Sequence, residues 1–375
     1  MAFSCPRCGN TQLTFTFMHQ GQRVCRRCLA FQGERGESAL GVDDAQYTLP
    51  FSLTPTQRTI AREITRISAR RDLVVEAVCG AGKTELVMEA IQDRLMNGQR
   101  VGVAVARRQV ALQLATRFRS AFHGVKVGVV CEGHRENLGG ALMVCTTHQL
   151  FRYPHAFDLL VLDEPDAFPF HGDPVLQGFA RLAVKGQTIY LTATPDRALR
   201  QRIKNGSVAH VTLDRRPHGK PLPIPKVWMM PKGVMGLATL IWLMRRKRQA
   251  LVFVPSVAQG KRLERLLNIP LVHAGHAKLD PLIRAFGQGQ IKALLTTTVL
   301  ERGVTFKGID VLVLGADHPV FTRPVLIQIA GRVGRDVKDP GGEVMFLCST
   351  LSDGVKDGVR DLRQANQRAW SASMT

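Results

Sequence analysis

Apolar residues along this chain come in short unbroken runs, each closed by a polar or glycine-rich cluster. Several are followed by apolar residues at helical spacing. In the first half the runs are Leu73–Val75, Val101–Ala106, Val125–Cys131, Ala141–Cys145, Leu159–Leu162 and Thr188–Leu191, with helices expected over 55–71, 86–95 and 110–122. In the second half they are Ala250–Val254, Pro270–His273, Ala293–Thr296, Val311–Leu314 and Glu343–Cys348. Helices are expected there over 258–267, through Gln328–Arg335, and over 351–375 with a polar tail. Unbroken apolar strands alternating with helices predict parallel sheets buried on both faces. The chain is therefore expected to be α/β, one architecture used twice. Thr54 suits the N-cap of the first long helix and Pro55 its first turn. In such sheets ligands collect at the carboxyl ends of strands. Arg107-Arg108, Thr146-Thr147, Asp163-Glu164-Pro165-Asp166 and Thr192-Ala193-Thr194 all fall at such ends.

The pattern is broken in three places. Residues 33–50 are rich in Gly, Glu, Ser and Asp and read as a linker; 215–226 carry four prolines and read as a semi-rigid connection. Ahead of both lie two C-x-x-C knuckles, Cys5-Pro-Arg-Cys8 and Cys25-Arg-Arg-Cys28, separated by a segment in which Leu13–Phe17 alternates as a strand would. Two such knuckles put four thiolates around one cation, which predicts a small zinc-ribbon-like module. All four positions are filled by protein, so the zinc is expected to be structural. Redox disulfides are the alternative, and His19 is expected to face water. The resulting division is a four-cysteine module over 1–32, a linker over 33–50, a lobe over 51–214, a connection over 215–226, a second lobe over 227–350, and a C-terminal helix and tail over 351–375.

Charge adds a partner class. The 375 residues carry 51 basic and 30 acidic side chains, a formal net charge of +21. That excess favours a polyanion, most simply nucleic acid, and would equally attract anionic lipid. No run approaches the roughly 18 apolar residues that a membrane span needs, and the start of the chain lacks the apolar core of a secretory signal. A soluble, cytoplasmic protein is expected. The remaining cysteines, Cys79, Cys131, Cys145 and Cys348, sit singly in apolar surroundings and are expected to be reduced and buried.

The chemistry centres on residues 77–85, Ala-Val-Cys-Gly-Ala-Gly-Lys-Thr-Glu, between a strand and a helix. A glycine turn there aims backbone N–H groups at phosphate oxygens, and the helix start adds its dipole. Ala77, Val78, Cys79, Gly80, Ala81, Gly82, Lys83 and Thr84 would cradle a nucleotide, with Lys83 on the β- and γ-phosphates and Thr84 on Mg²⁺. Asp163 would take the same Mg²⁺ and Glu164 would polarise the attacking water. Arg332 and Arg335, expected three apart on one helical face and spaced by Gly331 and Gly334, would neutralise charge on the γ-phosphate. Since they lie in the second half, the nucleotide is expected between the two halves.

Gly80-Ala81-Gly82-Lys83-Thr84, Asp163-Glu164-Pro165-Asp166, Thr192-Ala193-Thr194 and Gln328-x-x-Gly331-Arg332-x-Gly334-Arg335 resemble motifs I, II, III and VI of superfamily 2 helicases, in the right order. The resemblance covers nearly all of residues 51–350 and implies two RecA-like lobes. It gives Gln57 the reading of adenine. It places Arg107, Arg108, Thr146, Thr147, Ser256, Thr297 and Arg302 along the nucleic-acid track, and makes Thr192 and Thr194 the coupling between hydrolysis and that track. A four-cysteine module directly before such a core, with Asp163–Pro169 and Leu300–Phe306, is similar to the ComFA family of late-competence DNA translocases. That resemblance implies action at the inner face of the membrane, beside the DNA-uptake machinery, on incoming single-stranded DNA. Pro165 in the acidic motif and Ala77 at the loop's first position depart from the general pattern without removing a catalytic group.

The leading expectation is thus an ATP-dependent single-stranded DNA translocase using ATP, Mg²⁺ and Zn²⁺. An RNA, repair or replication helicase is the second, and a zinc-dependent DNA-binding scaffold without hydrolysis the third.

Overall fold

The computed structural model describes residues 3–36, 42, 44–276, 279–301 and 306–371. The chain divides into two compact units, Met1–Ala77 with Lys83–Leu213, and Val78–Gly82 with Asp214–Thr375.

The first unit opens with a hairpin, β1 (Thr16–His19) and β2 (Gln22–Cys25), paired antiparallel. Gln20 and Gly21, both at positive φ, make its turn. Then come α1 (Pro55–Ser68), β3 (Leu73–Ala77), α2 (Lys83–Leu86), α3 (Met88–Met96), β4 (Val101–Val105), α4 (Arg108–Ala121), β5 (Val127–Cys131), β6 (His134–Glu136) and β7 (Leu142–Thr146). The unit closes with β8 (Phe157–Asp163), α5 (Pro174–Ala183), β9 (Val184–Thr192), α6 (Arg197–Lys204) and β10 (Ala209–Leu213). Among the described residues its main sheet runs β10-β3-β9-β8-β4-β7-β5-β6, parallel except for β6. Every residue of β4, β5 and β7 is buried, as strands covered on both faces must be. Gly102 in β4 is needed there: a Cβ would lie 2.8 Å from the Phe157 ring.

The second unit contains β11 (Lys226–Met229), α7 (Met235–Met244), β12 (Gln249–Phe253), α8 (Val257–Leu267), β13 (Leu271–Val272) and α9 (Leu279–Gly287). After them follow β14 (Ala293–Thr296), β15 (Ile309–Leu314), α10 (Arg323–Ala330), β16 (Val344–Cys348) and α11 (Asp353–Ser371). Its sheet, β11-β16-β15-β12-β14-β13, is parallel throughout. No helix among the described residues is long and apolar enough to cross a membrane.

Several expectations need correction. Leu13–Phe15 is a turn of 3₁₀ helix, because Leu13 is exposed and has no core face to alternate against. The polar segment after β5 folds back as antiparallel β6. The edge strands β10 and β11 were not anticipated, since each leaves much of its length exposed and lacks an unbroken apolar run. Described residues of the 33–50 segment hydrogen-bond to the rest of the first unit. Gly36 N donates to Arg152 O at 2.8 Å, Arg152 Nη1 to Glu34 O at 2.8 Å, and Thr48 N to Ala121 O at 2.9 Å.

Candidate active site and metal centre

The four cysteines converge. All are buried, and their Sγ atoms lie within 4.8 Å of one another, with Cys5–Cys28 at 3.7 Å and Cys8–Cys25 at 3.8 Å. A tetrahedron with Zn–S bonds of about 2.3 Å has S···S edges near 3.8 Å, so the donor set fits zinc in size and chemistry. No disulfide joins them among the described residues. Burial pushes the Cys8 thiol up to about 11 and Cys28 upward as well, with repulsion from Cys5 adding to both, while at Cys5 burial is outweighed by hydrogen bonds that hold its thiol down. A cation would remove that penalty, lock the two knuckles together, and leave no open coordination position.

These cysteines share a hydrophobic core with Leu160, Leu162, Phe170, Leu176 and Phe179 of the first unit. Gly178 of α5 meets the first knuckle so closely that a Cβ would lie 1.9 Å from Cys8 O. Phe31 packs edge-on against Phe179 at 4.9 Å and stacks on His148 at 6.3 Å. Through its cysteines and Phe31 the four-cysteine module is therefore packed into the first unit's core.

At the carboxyl edge of that unit's main sheet, β3 ends at Ala77 and the chain turns through Gly80 (φ 83°) and Gly82 (φ 86°) into α2 at Lys83. Lys83 Nζ lies 4.0 Å from Glu164 Oε1, and both side chains are largely shielded. Asp163 is the last residue of β8, beside Leu191 of β9. Glu164 sits in the left-handed region (φ 56°) with its N–H donating to Leu191 O at 2.8 Å, a strained turn typical of functional positions. Thr84 is partly buried at the start of α2, and the buried Glu85 next to it pairs with Arg117 of α4.

Asp166 is held by both threonines of the next cluster. Thr192 Oγ1 donates to its Oδ1 at 2.7 Å, Thr194 Oγ1 to its Oδ2 at 2.9 Å, and Thr194 N to Thr192 Oγ1 at 2.9 Å. The hydroxyls thus join two strand ends. Gln57 is buried, and its Oε1 accepts from Thr54 N at 3.0 Å while Thr54 Oγ1 accepts from Gln57 N at 3.2 Å. This capping box fixes the start of α1 and commits part of the glutamine amide.

The residues expected along a nucleic-acid track are less alike. Arg107 is partly buried and stands at the start of α4. Arg108 Nε donates to Glu132 O at 2.8 Å. Thr146 and Thr147 are buried, so backbone groups rather than hydroxyls would meet a strand there. Ser256 Oγ caps α8 by accepting from Gln259 N at 3.2 Å, and Thr297 precedes a short 3₁₀ turn. Arg302 lies outside the described residues.

In the second unit the expected helix through Arg335 ends early. α10 stops at Ala330, Gly331 is its C-cap, and Gly334 at φ 68° turns the chain away, so Arg332 and Arg335 do not share a helical face. Arg332 is buried with Nε donating to Glu301 O at 3.2 Å, and Arg335 Nε donates to Gly331 O at 2.9 Å. The organising residue is Arg216, which sequence alone did not single out. Buried, it donates to Cys79 O (2.8 Å), Val333 O (2.7 Å), Gly334 O (2.8 Å) and Gly331 O (2.9 Å). Burial, with Arg335 nearby, pushes its guanidinium down to about 10. A Cβ on Gly331 would lie 2.4 Å from Cys79 Cβ, so only glycine fits there.

Comparison with known proteins identifies the family and related folds. Residues 54–202 match the DEAD/DEAH box helicase family and 234–337 the helicase conserved C-terminal domain. The chain is 32% identical to the competence protein ComFA of Bacillus subtilis, covering 100% of this chain and 88% of that one. It is also 32% identical to ComFA of Streptococcus pneumoniae, with 97% and 90% covered. Solved structures of similar fold include S. cerevisiae Dbp5 bound to RNA and ADP BeF3 (TM-score 0.60, 19% identity, 84% and 92% covered). Another is Mycobacterium smegmatis helicase Lhr bound to single-stranded DNA and AMP-PNP (TM-score 0.62, 18% identity, 84% and 48% covered).

Proposed function

This chain belongs to the ComFA family of competence proteins, helicases that hydrolyse ATP and bind nucleic acid, and on that premise we propose that it is a translocase for single-stranded DNA which helps import transforming DNA. The observation that carries the reading is Lys83 Nζ at 4.0 Å from Glu164 Oε1, at the sheet edge where β3 and β8 end. We assign Lys83, with the backbone of residues 77–84, to the phosphates, Thr84 and Asp163 to Mg²⁺, Glu164 to the attacking water, and Arg332 and Arg335 to the γ-phosphate. Mg²⁺ would neutralise charge on the β- and γ-phosphates. Gln57 is assigned to adenine. Residues 51–214 and 227–350 are taken as the two lobes, and Cys5, Cys8, Cys25 and Cys28 as ligands of one structural zinc.

Arg107, Arg108, Thr146, Thr147, Ser256, Thr297 and Arg302 are assigned to the strand's backbone, which carries no base identity. Thr192 and Thr194 are assigned to coupling, a role supported by their bonds to Asp166. The net charge of +21 supports a polyanionic track. Action at the inner face of the membrane beside uptake proteins follows from the family alone. The deciding experiment is ATPase turnover with single-stranded DNA, duplex DNA, RNA and no polymer. Strongest stimulation by single-stranded DNA is expected, and equal or stronger stimulation by RNA would overturn the DNA assignment.

A further inference from the structure

α7 spans ten residues, Met235–Met244, and none is charged. Its inner side places Met235, Thr239 and Trp242 in the interior of the second unit, where Trp242 Nε1 donates to Glu343 Oε1 at 2.9 Å. Its outer side is as apolar: Leu237 is 60% exposed, Leu240 38%, Ile241 42% and Met244 77%. A helix apolar all round is ordinarily buried all round. Leu266 of α8, also exposed, extends the patch, since a Cβ on Gly236 would touch it at 3.9 Å. Beside the patch a largely apolar cavity of about 450 Å³ opens between α7, α8 and the ends of β12 and β15, lined in part by Gly236, Pro255, Leu263 and Leu314, with Lys232 and Arg262 at its polar side.

The charge around this face is predominantly basic; Asp317, which also lines the cavity, is taken up by four hydrogen bonds from Ser349 and Thr350. From Lys232 to Asn268 there are eight basic residues and a single acidic one, Glu264. Arg246 pairs with Asp310 and Glu343, and Arg248 with Asp339. Lys232, Arg245, Lys247, Lys261, Arg262 and Arg265 have no acidic partner among the described residues. Contiguous apolar surface rimmed by charge is the mark of an interaction site.

We propose that the α7–α8 face docks a protein partner through an amphipathic helix whose apolar stripe is bordered by Asp and Glu. The stripe would cover Leu237, Leu240, Ile241 and Met244, one apolar side chain would enter the cavity, and the acidic borders would meet Arg262 and Arg265. A second copy of this chain does not suit the face, because a two-fold contact would set the basic rim against itself. A bilayer does not suit the cavity, which a protruding side chain fills and a lipid surface does not.

The test is photo-crosslinking in the full chain, in its own cells, with Leu240 replaced by a benzophenone amino acid and the crosslinked peptide sequenced by mass spectrometry. The expected product is a peptide of another protein with apolar residues at helical spacing and flanking Asp or Glu. Its yield should fall about fivefold or more with the double change Arg262→Glu, Arg265→Glu. Turnover of ATP by the purified double variant should be unchanged, showing that it folds. Crosslinks only to a second copy, to a peptide without acidic flanks, or to nothing overturn the proposal. So does flotation with phosphatidylglycerol vesicles that Leu240→Glu abolishes, which assigns the face to lipid.

Discussion

Thr192 Oγ1 donates to Asp166 Oδ1 at 2.7 Å, joining the end of β9 to the turn that follows β8. Thr194 closes the same carboxylate from its other oxygen. Thr192→Val keeps the shape and removes one of these donors. Since Thr192 is fully buried, the loss of a hydrogen bond to a charged group should cost about 2 kcal/mol. If the pair transmits hydrolysis, the ratio of DNA-stimulated to unstimulated turnover should also fall. Denaturant unfolding and the two ATPase rates check this, and an unaltered ratio removes the coupling role.

Lys83 and Glu164 are separable by their chemistry. Lys83→Ala should weaken nucleotide binding and lower turnover by about a hundredfold or more, as removal of a preorganised charge at phosphate does. Glu164→Gln should hold a fluorescent ATP analogue about as well as the unchanged chain while failing to hydrolyse ATP. Equal turnover in either variant would falsify the site assignment.

The contact of Gly178 with Cys8 O ties the four-cysteine module to the ATPase fold. Gly178→Ala must displace backbone, and overpacking of this kind costs about 1–3 kcal/mol. The variant should unfold at lower temperature and release zinc to a chelator faster. Metal analysis of the unchanged chain should give one zinc per chain, and chelation should lower ATP turnover. Full turnover in zinc-free protein would show that the first unit stands without its metal.

Asp317 gives a pH prediction. Burial pushes its carboxyl up, but Ser349 Oγ (2.5 Å), Ser349 N (3.2 Å), Thr350 N (3.1 Å) and Thr350 Oγ1 (3.2 Å) all donate to it and hold it below the ordinary carboxylate value. A depressed folded-state value means stability that is present above the unfolded value, about 3.9 for Asp, and lost as pH falls below it. Ser349→Ala should weaken this term, so the variant should be less stable at pH 7, and the difference from the unchanged chain should shrink as pH falls below about 3.9. Equal stability of the two chains at pH 7, or a difference that does not shrink in acid, would remove Asp317 from the account.

Much of this could be seen in the sequence because it rests on local rules. The strands β4 and β5, and the stretches Leu142–Cys145 of β7 and Val311–Leu314 of β15, are unbroken apolar runs, and Thr54-Pro55 marks the start of α1 by its capping chemistry. The knuckle spacing brought four thiols together. What stayed hidden depends on partners far along the chain. Arg216 is one arginine in a proline-rich stretch, and nothing local shows that four carbonyls converge on it. Asp166 belonged to a recognised motif, yet its bonds to Thr192 and Thr194 need the β8–β9 register. The end of α10 is hard to read because glycines spaced as Gly331 and Gly334 fit either a helix face or a helix stop; here Gly331 is the C-cap and Gly334 at φ 68° turns the chain away. α7 was missed since its even apolarity carries no helical period.

The position of Phe31 bears on how this protein is made in the cell. It packs against Phe179, inside a lobe whose helicase match starts only at residue 54. A chain cut back to that match would lay open Phe151, Leu176 and Phe179, and would meet chaperones and proteases as a damaged protein does. If the four buried thiols behind that same surface hold zinc, a cell short of the metal should hold less of the protein rather than a slower version of it.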